Sequence, residues 1–283
     1  MNLFEKILVF LTSKIENAPV SFGAFHFTML GIILATAIIL NLLFKNSSDK
    51  EFKRLLTVIW CIMVVGEIYH QTCFFFGVRD GAVVWEYSWY KFPFQFCATP
   101  LYILPLAIFP KNKKIRDCSE AFLMSFSLFA GLAVILYPND VFVSLIGASI
   151  QSMIHHGFQV VVGVLIGIRN RKRLNFRFFL GGCIVFAILL CMAMVMNIAG
   201  YHILQANGMD DTFNMFYVSP YFDCTLPVLS ALYPILPYPV FFCVYLLGFC
   251  GVAALVFYIV KGIYKLTLIK RKNSKENRKI SYA

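Results

Sequence analysis

Long apolar runs joined by short basic connections dominate this chain, and the lengths of the runs set the first expectation. A helix needs about 20 predominantly apolar residues to cross a bilayer. Seven segments come near that length, at 23–44, 54–76, 92–109, 119–137, 141–168, 177–204 and 238–264. No Asp, Glu, Lys or Arg interrupts 92–110 or 141–168. The first sixteen residues follow a different pattern. Apolar positions 3, 4, 7, 8, 10 and 11 form a helical stripe beside Lys6 and Lys14, with no small-residue cleavage site, which predicts an interfacial helix and not a signal peptide. The pattern therefore predicts an all-α, polytopic bundle of seven transmembrane helices. It divides into an amphipathic helix over 1–16, a transmembrane domain over 17–266 and a basic cytoplasmic tail over 267–283. The closing NSKENRKISYA is expected to lack regular structure and to lie near anionic headgroups.

Basic residues in the connections set the orientation, because Lys and Arg stay on the cytoplasmic side. Residues 45–54 and 110–118 hold four each, 169–177 hold five and the tail from Lys261 holds eight, which together make 21 of the 25. The opposite side has only Lys6, Lys14, Arg79 and Lys91. This alternation predicts the N-terminus outside and the C-terminus in the cytoplasm of a multi-pass cell-membrane protein. The outer connection 205–237, rich in aromatics and proline and free of Lys and Arg, is expected to fold over the bundle mouth as a lid.

Composition agrees. Of 283 residues, 60% are hydrophobic and only 14% charged, against about 25% charged in soluble domains. The mean hydropathy is +0.75. The net charge of +11 is confined to helix ends and forms no stripe that could track phosphates, so no nucleic-acid partner is expected. The nine cysteines show neither a CxxC pair nor metal-ligand spacing, and no nucleotide loop occurs, so no metal or cofactor is expected.

Ionisable residues inside spans are costly and mark candidate sites. Glu67, Cys97 and His155 lie 13, 12 and 13 residues from the cytoplasmic ends of their segments at Arg54, Phe109 and Ile168. Along straight helices each would sit about 18–20 Å above the inner boundary. A Cys and a His at one level can act as nucleophile and base, since the imidazole takes the thiol proton and the thiolate attacks an acyl carbonyl. Glu67 or the adjacent His156 would support the charge on the imidazole. Gln151 and Gln159 flank His155 at i−4 and i+4, which turns a polar stripe of that helix inward. Gln95, Asn197 and Asn214 could donate hydrogen bonds to an oxyanion, and His26 could contact a lipid headgroup. The same polar level could instead bind a small solute or shuttle protons in a transporter, although no repeated halves accompany it and no span near that level is expected to be broken by Gly or Pro. A third possibility is that these residues only hold helices together.

The segment FQFCATPLYILPL at 94–106, HHG at 155–157, Asn197 and NMFYVSP at 214–220 followed by LPYPVFF resemble the bacterial YwaF-type integral membrane proteins, which are related to animal transmembrane protein 164. The ordered set extends over nearly the whole chain and includes His26. The resemblance implies a phospholipid acyltransferase that works through a Cys in the third span and a His in the fifth, which fall on Cys97 and His155. Its substrates would be membrane lipids, and more distant relatives that hydrolyse lipid esters imply hydrolysis as a variant. The chain departs from the pattern at Gln95, where a His is expected. A Gln keeps the hydrogen bonding but carries no proton at neutral pH.

Overall fold

The computed structural model describes residues 2–79 and 82–280, side chains excepted at 78 and 266–280. The elements in order are α1 (Leu3–Leu11), α2 (Ala24–Phe44), α3 (Asp49–Phe75), a hairpin of β1 (Phe76–Arg79) and β2 (Ala82–Trp85), α4 (Pro100–Ile108), α5 (Lys113–Phe122), α6 (Leu128–Leu136), α7 (Ile146–Arg169), α8 (Phe176–Ala206), the single turn α9 (Leu229–Leu232) and α10 (Tyr238–Ile280). Local chemistry sets the helix starts. Asn2 and Ser48 open α1 and α3 with capping boxes closed by Glu5 and Glu51. Asn112 and Asn175 accept from first-turn N–H groups of α5 and α8.

Among the described residues, five helices are long and apolar enough to cross a membrane: Ala24–Phe44, Lys113–Leu136, Ile146–Arg169, Phe176–Ala206 and Tyr238–Lys265. The chain is an integral, multi-pass membrane protein of helical architecture. Two of the seven expected spans fall outside this set for different reasons. Helix α3 has 27 residues, but Asp49, Lys50, Glu51, Lys53 and Arg54 crowd its first turns and Glu67 interrupts the apolar remainder. The run 92–109 is apolar throughout but, against the expectation that no span near the polar level is broken by Gly or Pro, is not one helix. A 3-10 turn at Trp89–Lys91 gives way to extended backbone, then to a second 3-10 turn at Phe96–Ala98, and only then to α4. Prolines explain the break: Pro100 has no N–H to continue a helix back from the first α-helical position, a place that suits it, and Pro93 blocks the stretch before. The nine residues of α4 reach about 13 Å, less than half a bilayer core.

Two further departures follow from local sequence. The hairpin pairs Phe76 with Trp85 and Gly77 with Val84, so α3 leaves the bundle through a short sheet instead of a bare loop. Backbone is helical through Ile280, into the tail expected to be irregular, and residues 263–280 contain no Gly or Pro to stop it. Residues 281–283 of that tail lie outside the described residues.

Helices α5 and α6 are one continuous helix widened by a π turn at Leu123–Ser127, where Leu123, Met124 and Phe126 are fully buried. Glycine faces let α6 and α7 touch. A Cβ on Gly131 would stand 2.7 Å from the His156 carbonyl oxygen, and one on Gly163 would stand 2.7 Å from Leu128 Cβ. Below this contact, Phe126 stacks on Phe186, Phe186 on Phe249 and Phe249 on Tyr245, with centroids 4.7, 5.5 and 4.4 Å apart. Two members of this aromatic column, Phe249 and Tyr245, form an apolar floor of the cavity that polar residues of α7 also line.

Candidate functional site

Above the aromatic floor, a cavity of about 350 Å³ gathers Glu67, Gln95, Cys97, Gln151, His155 and His156. Six of the nine residues singled out from sequence therefore share one chamber, supplied by α3, the 3-10 turn before α4, and α7. The size lies within the range of small-molecule sites. His70, Ser152, Tyr217 and Tyr245 line it as well, and Lys91 and Asp140 stand among its lining residues.

Cys97 lies in the short turn Phe96–Ala98, not in the middle of a helix. Within this turn the Ala98 N–H donates to Gln95 O at 2.8 Å. The Cys97 carbonyl oxygen accepts two bonds from α7, one from His155 Nε2 at 3.0 Å and one from Gln159 Nε2 at 2.6 Å. A carbonyl can only accept, so His155 carries its proton on Nε2 and presents a bare lone pair at Nδ1. That Nδ1 is buried and has no hydrogen-bond partner. His156 is arranged the other way round. Its Nδ1 donates to Ser152 O at 2.7 Å, which leaves Nε2 as a buried acceptor without a partner. The two rings lie 5.5 Å apart, centroid to centroid. Each imidazole thus has one nitrogen bonded to a backbone carbonyl and the other buried without a partner.

Glu67 lines the same chamber but makes its short contacts along its own helix. Gln71 Nε2 donates to Glu67 Oε1 at 2.7 Å, and His70 Nδ1 lies 3.7 Å from the same oxygen. Gln71 also donates to Lys91 O at 2.8 Å and accepts from the Tyr87 hydroxyl at 3.0 Å. Burial, reinforced by the charge of Glu67, pushes the Tyr87 phenol up to about 12, so it stays a neutral donor at any physiological pH. Among the described residues, no group of three or more His, Cys, Asp or Glu is placed to hold a metal ion.

The remaining sequence-selected residues hold the loop and the bundle together. Asn197, fully buried on α8, donates to Met215 O at 2.9 Å and accepts from Met215 N at 2.6 Å. Asn214 donates to Asp223 O at 3.2 Å and accepts from Ser219 N at 2.9 Å. Gln95 donates to Asn214 O at 3.1 Å and accepts from Phe216 N at 2.9 Å. Tyr245 OH closes the set by donating to Phe216 O at 2.8 Å. These bonds satisfy a strand of irregular backbone packed into the bundle, where water cannot. They also hold Phe216 and Tyr217 at φ 58° and 57°, left-handed values that a non-glycine residue adopts only under constraint. The 205–237 connection is therefore wedged into the bundle through Phe213–Ser219, and Tyr217 reaches the cavity.

The sequence model of the TMEM164 family matches residues 21–261. The chain belongs to that family. No curated protein and no solved structure matches it. The TMEM164 match begins just ahead of α2 and ends inside α10, so every cavity residue falls within it. His26, near the start of the match, sits apart from the cavity. Its Nδ1 accepts from Phe22 N at 2.9 Å and its Nε2 donates to Ile135 O at 2.8 Å. Both nitrogens are occupied, and the ring ties α2 to the end of α6. The sequence alone marks Gln159 as part of the polar stripe around His155. The spacing i+4 from His155 carried the signal, but not the shared acceptor on the Cys97 turn.

Proposed function

We propose that this protein is a lipid acyltransferase of the membrane, with Cys97 as nucleophile and His155 as base. The observation that carries the reading is that His155 bonds the Cys97 carbonyl through Nε2 while its Nδ1 is buried and unpartnered, both residues lining one cavity. In the proposed cycle the thiol proton moves to His155 Nδ1 and the thiolate attacks the ester carbonyl carbon of a phospholipid. The C–O bond breaks, the leaving lysolipid oxygen takes the proton from the imidazolium, and a thioester remains on Cys97. A second lysolipid hydroxyl reverses these steps and carries the chain away; water in its place gives hydrolysis.

Glu67 and His156 line the same chamber, and the carboxylate charge favours the imidazolium formed in mid-cycle. Oxyanion stabilisation belongs to Gln151 and to the N–H groups of Phe96 and Cys97, the first of the turn, which have no acceptor within it. The amides of Gln95, Asn197 and Asn214 are already bonded to loop backbone and hold the chamber's shape. The N-terminus outside and seven crossings of the cell membrane complete the reading. Here α3 and the broken 92–108 segment serve as the two less regular crossings, supported by the confinement of basic residues to alternate connections.

The test is transfer in proteoliposomes. Purified protein with a phospholipid labelled in one acyl chain and an unlabelled lysophospholipid is expected to yield labelled diacyl product and unlabelled lysolipid in equal amounts. Protein that leaves the label on the donor under these conditions contradicts the reading.

A further inference from the structure

The cavity has a neighbour on the outer side of the bundle. A groove of about 630 Å³ runs between α3 and α4, lined by Trp60, Val64, Ile68, Leu101, Tyr102 and Pro105 among others. Its existence follows from the prolines that broke the expected third span. Pro105 cannot donate to Leu101 O as a helical residue would, and Trp60 Nε1 donates there instead at 2.8 Å. The Tyr102 hydroxyl donates to Pro93 O at 2.6 Å. The carbonyls exposed by the broken helix are thus met by side chains, and the walls between them are hydrocarbon. Such a groove accepts an apolar chain with no backbone group left wanting.

Two residues, Glu67 and Pro93, line both groove and cavity. The groove is polar only toward that shared end, where Glu67, Gln71 and Thr72 stand, and apolar toward Trp60 and Pro105. From Glu67 to Trp60 is two turns of α3, about 10 Å. Its rim residue Ile68 is 62% exposed, as lipid-facing residues are. A second groove of similar volume, about 650 Å³, runs along α8 past Ile184, Ile188 and Val195. That one has no charged or amide side chain in its lining and shares no residue with the cavity.

We propose that the groove between α3 and α4 binds one acyl chain of a membrane lipid, with the ester end at Glu67 and Pro93 and the tail directed toward Trp60. This rests on the acyl-transfer reading and names the path by which that substrate enters, sideways from the bilayer. The polarity of the groove runs the same way as that of a lipid in the leaflet nearer the cavity. No headgroup need cross the hydrocarbon to deliver its ester to Cys97.

The full-length protein in phosphatidylcholine nanodiscs, with a trace of phosphatidylcholine bearing a diazirine on one acyl chain, tests this. A diazirine near the ester is expected to label Ile68, Thr72 and Pro93, and one near the middle of the chain to label Trp60 and Pro105. Labelling should exceed that of the α8 groove several-fold and should persist in Cys97→Ala. Ile68→Trp, which fills the groove from its exposed rim, should lower the labelling several-fold, whereas Ile62→Trp, outside the lining, should not. Equal labelling of the two grooves, or the same sites from both probes, overturns the inference. Ordered labelling without transfer would retire the acyl-transfer reading and leave the groove standing; transfer without ordered labelling would do the reverse.

Discussion

Cys97→Ala and His155→Gln are each expected to lower acyl transfer by on the order of a thousandfold or more, and the double variant should lose no more than either alone. Non-additivity is the informative part. If the imidazole acts only by taking the thiol proton, it has nothing left to do once the thiol is gone. Both substitutions are chosen to spare the fold. His155 donates through Nε2 to Cys97 O, and a Gln amide can make the same donation but offers no basic nitrogen. Gln159 donates to the same carbonyl and keeps the turn in place in either variant. The Cys97 side chain is half-buried, so trimming it to Ala removes one sulfur and creates little cavity. Losses that simply add, with each variant retaining several per cent of activity, would mean that the two residues act independently.

Asn197→Leu is expected to have the largest effect on stability, about 2–4 kcal/mol, because it leaves the buried N–H and C=O of Met215 without partners. That corresponds to a fall in Tm of about 5–15 °C. The loss is local in origin. Phe216 and Tyr217 occupy left-handed backbone, a conformation costing about 1–3 kcal/mol per residue that persists only while its surroundings enforce it. With the Asn197 strap removed, the 213–219 segment should open and become sensitive to chymotrypsin at Phe216 and Tyr217, sites that the intact protein buries or half-buries. Thermal unfolding followed with and without protease separates this from a general weakening of the bundle. An unchanged Tm and an uncut loop would show that the remaining bonds, from Gln95, Asn214 and Tyr245, hold the segment without Asn197.

The helical segments were legible because hydrocarbon thickness imposes a length that apolar runs must meet. The start of the first, fifth and sixth runs agrees with α2, α7 and α8 to within about five residues. Register along a helix was equally readable, so Glu67 and His155 could be placed near one level from counts alone. The Cys97 turn was not, because an apolar run looks continuous whether or not prolines break it. Pro93, Pro100 and Pro105 all stand in the expected third span; the first two turn its outer half into irregular backbone, whereas Pro105 sits within α4. A count of helical residues from Phe109 therefore described a helix that is only partly there, although the thiol still reaches the cavity.

Side-chain roles were harder to read than positions. A buried Asn in a span looks the same in sequence whether it faces a substrate or bonds a loop. Only the partners of Asn197 and Asn214 reveal that these amides hold the 214–219 backbone. His26 is a similar case, since two occupied ring nitrogens distinguish a staple from a headgroup ligand. The β1–β2 hairpin follows from residues whose alternation is too short to compete with the apolar run before it.

The central claim is a covalent one, and intact-protein mass spectrometry tests it most directly. Purified protein is incubated with phospholipid, with no lysolipid acceptor added, beside Cys97→Ala. The account predicts one fatty-acyl mass increment on the parent protein, absent from Cys97→Ala, released by neutral hydroxylamine and discharged on addition of lysophospholipid. An increment that persists in Cys97→Ala would contradict it, as would labelled product formed at full rate by that variant.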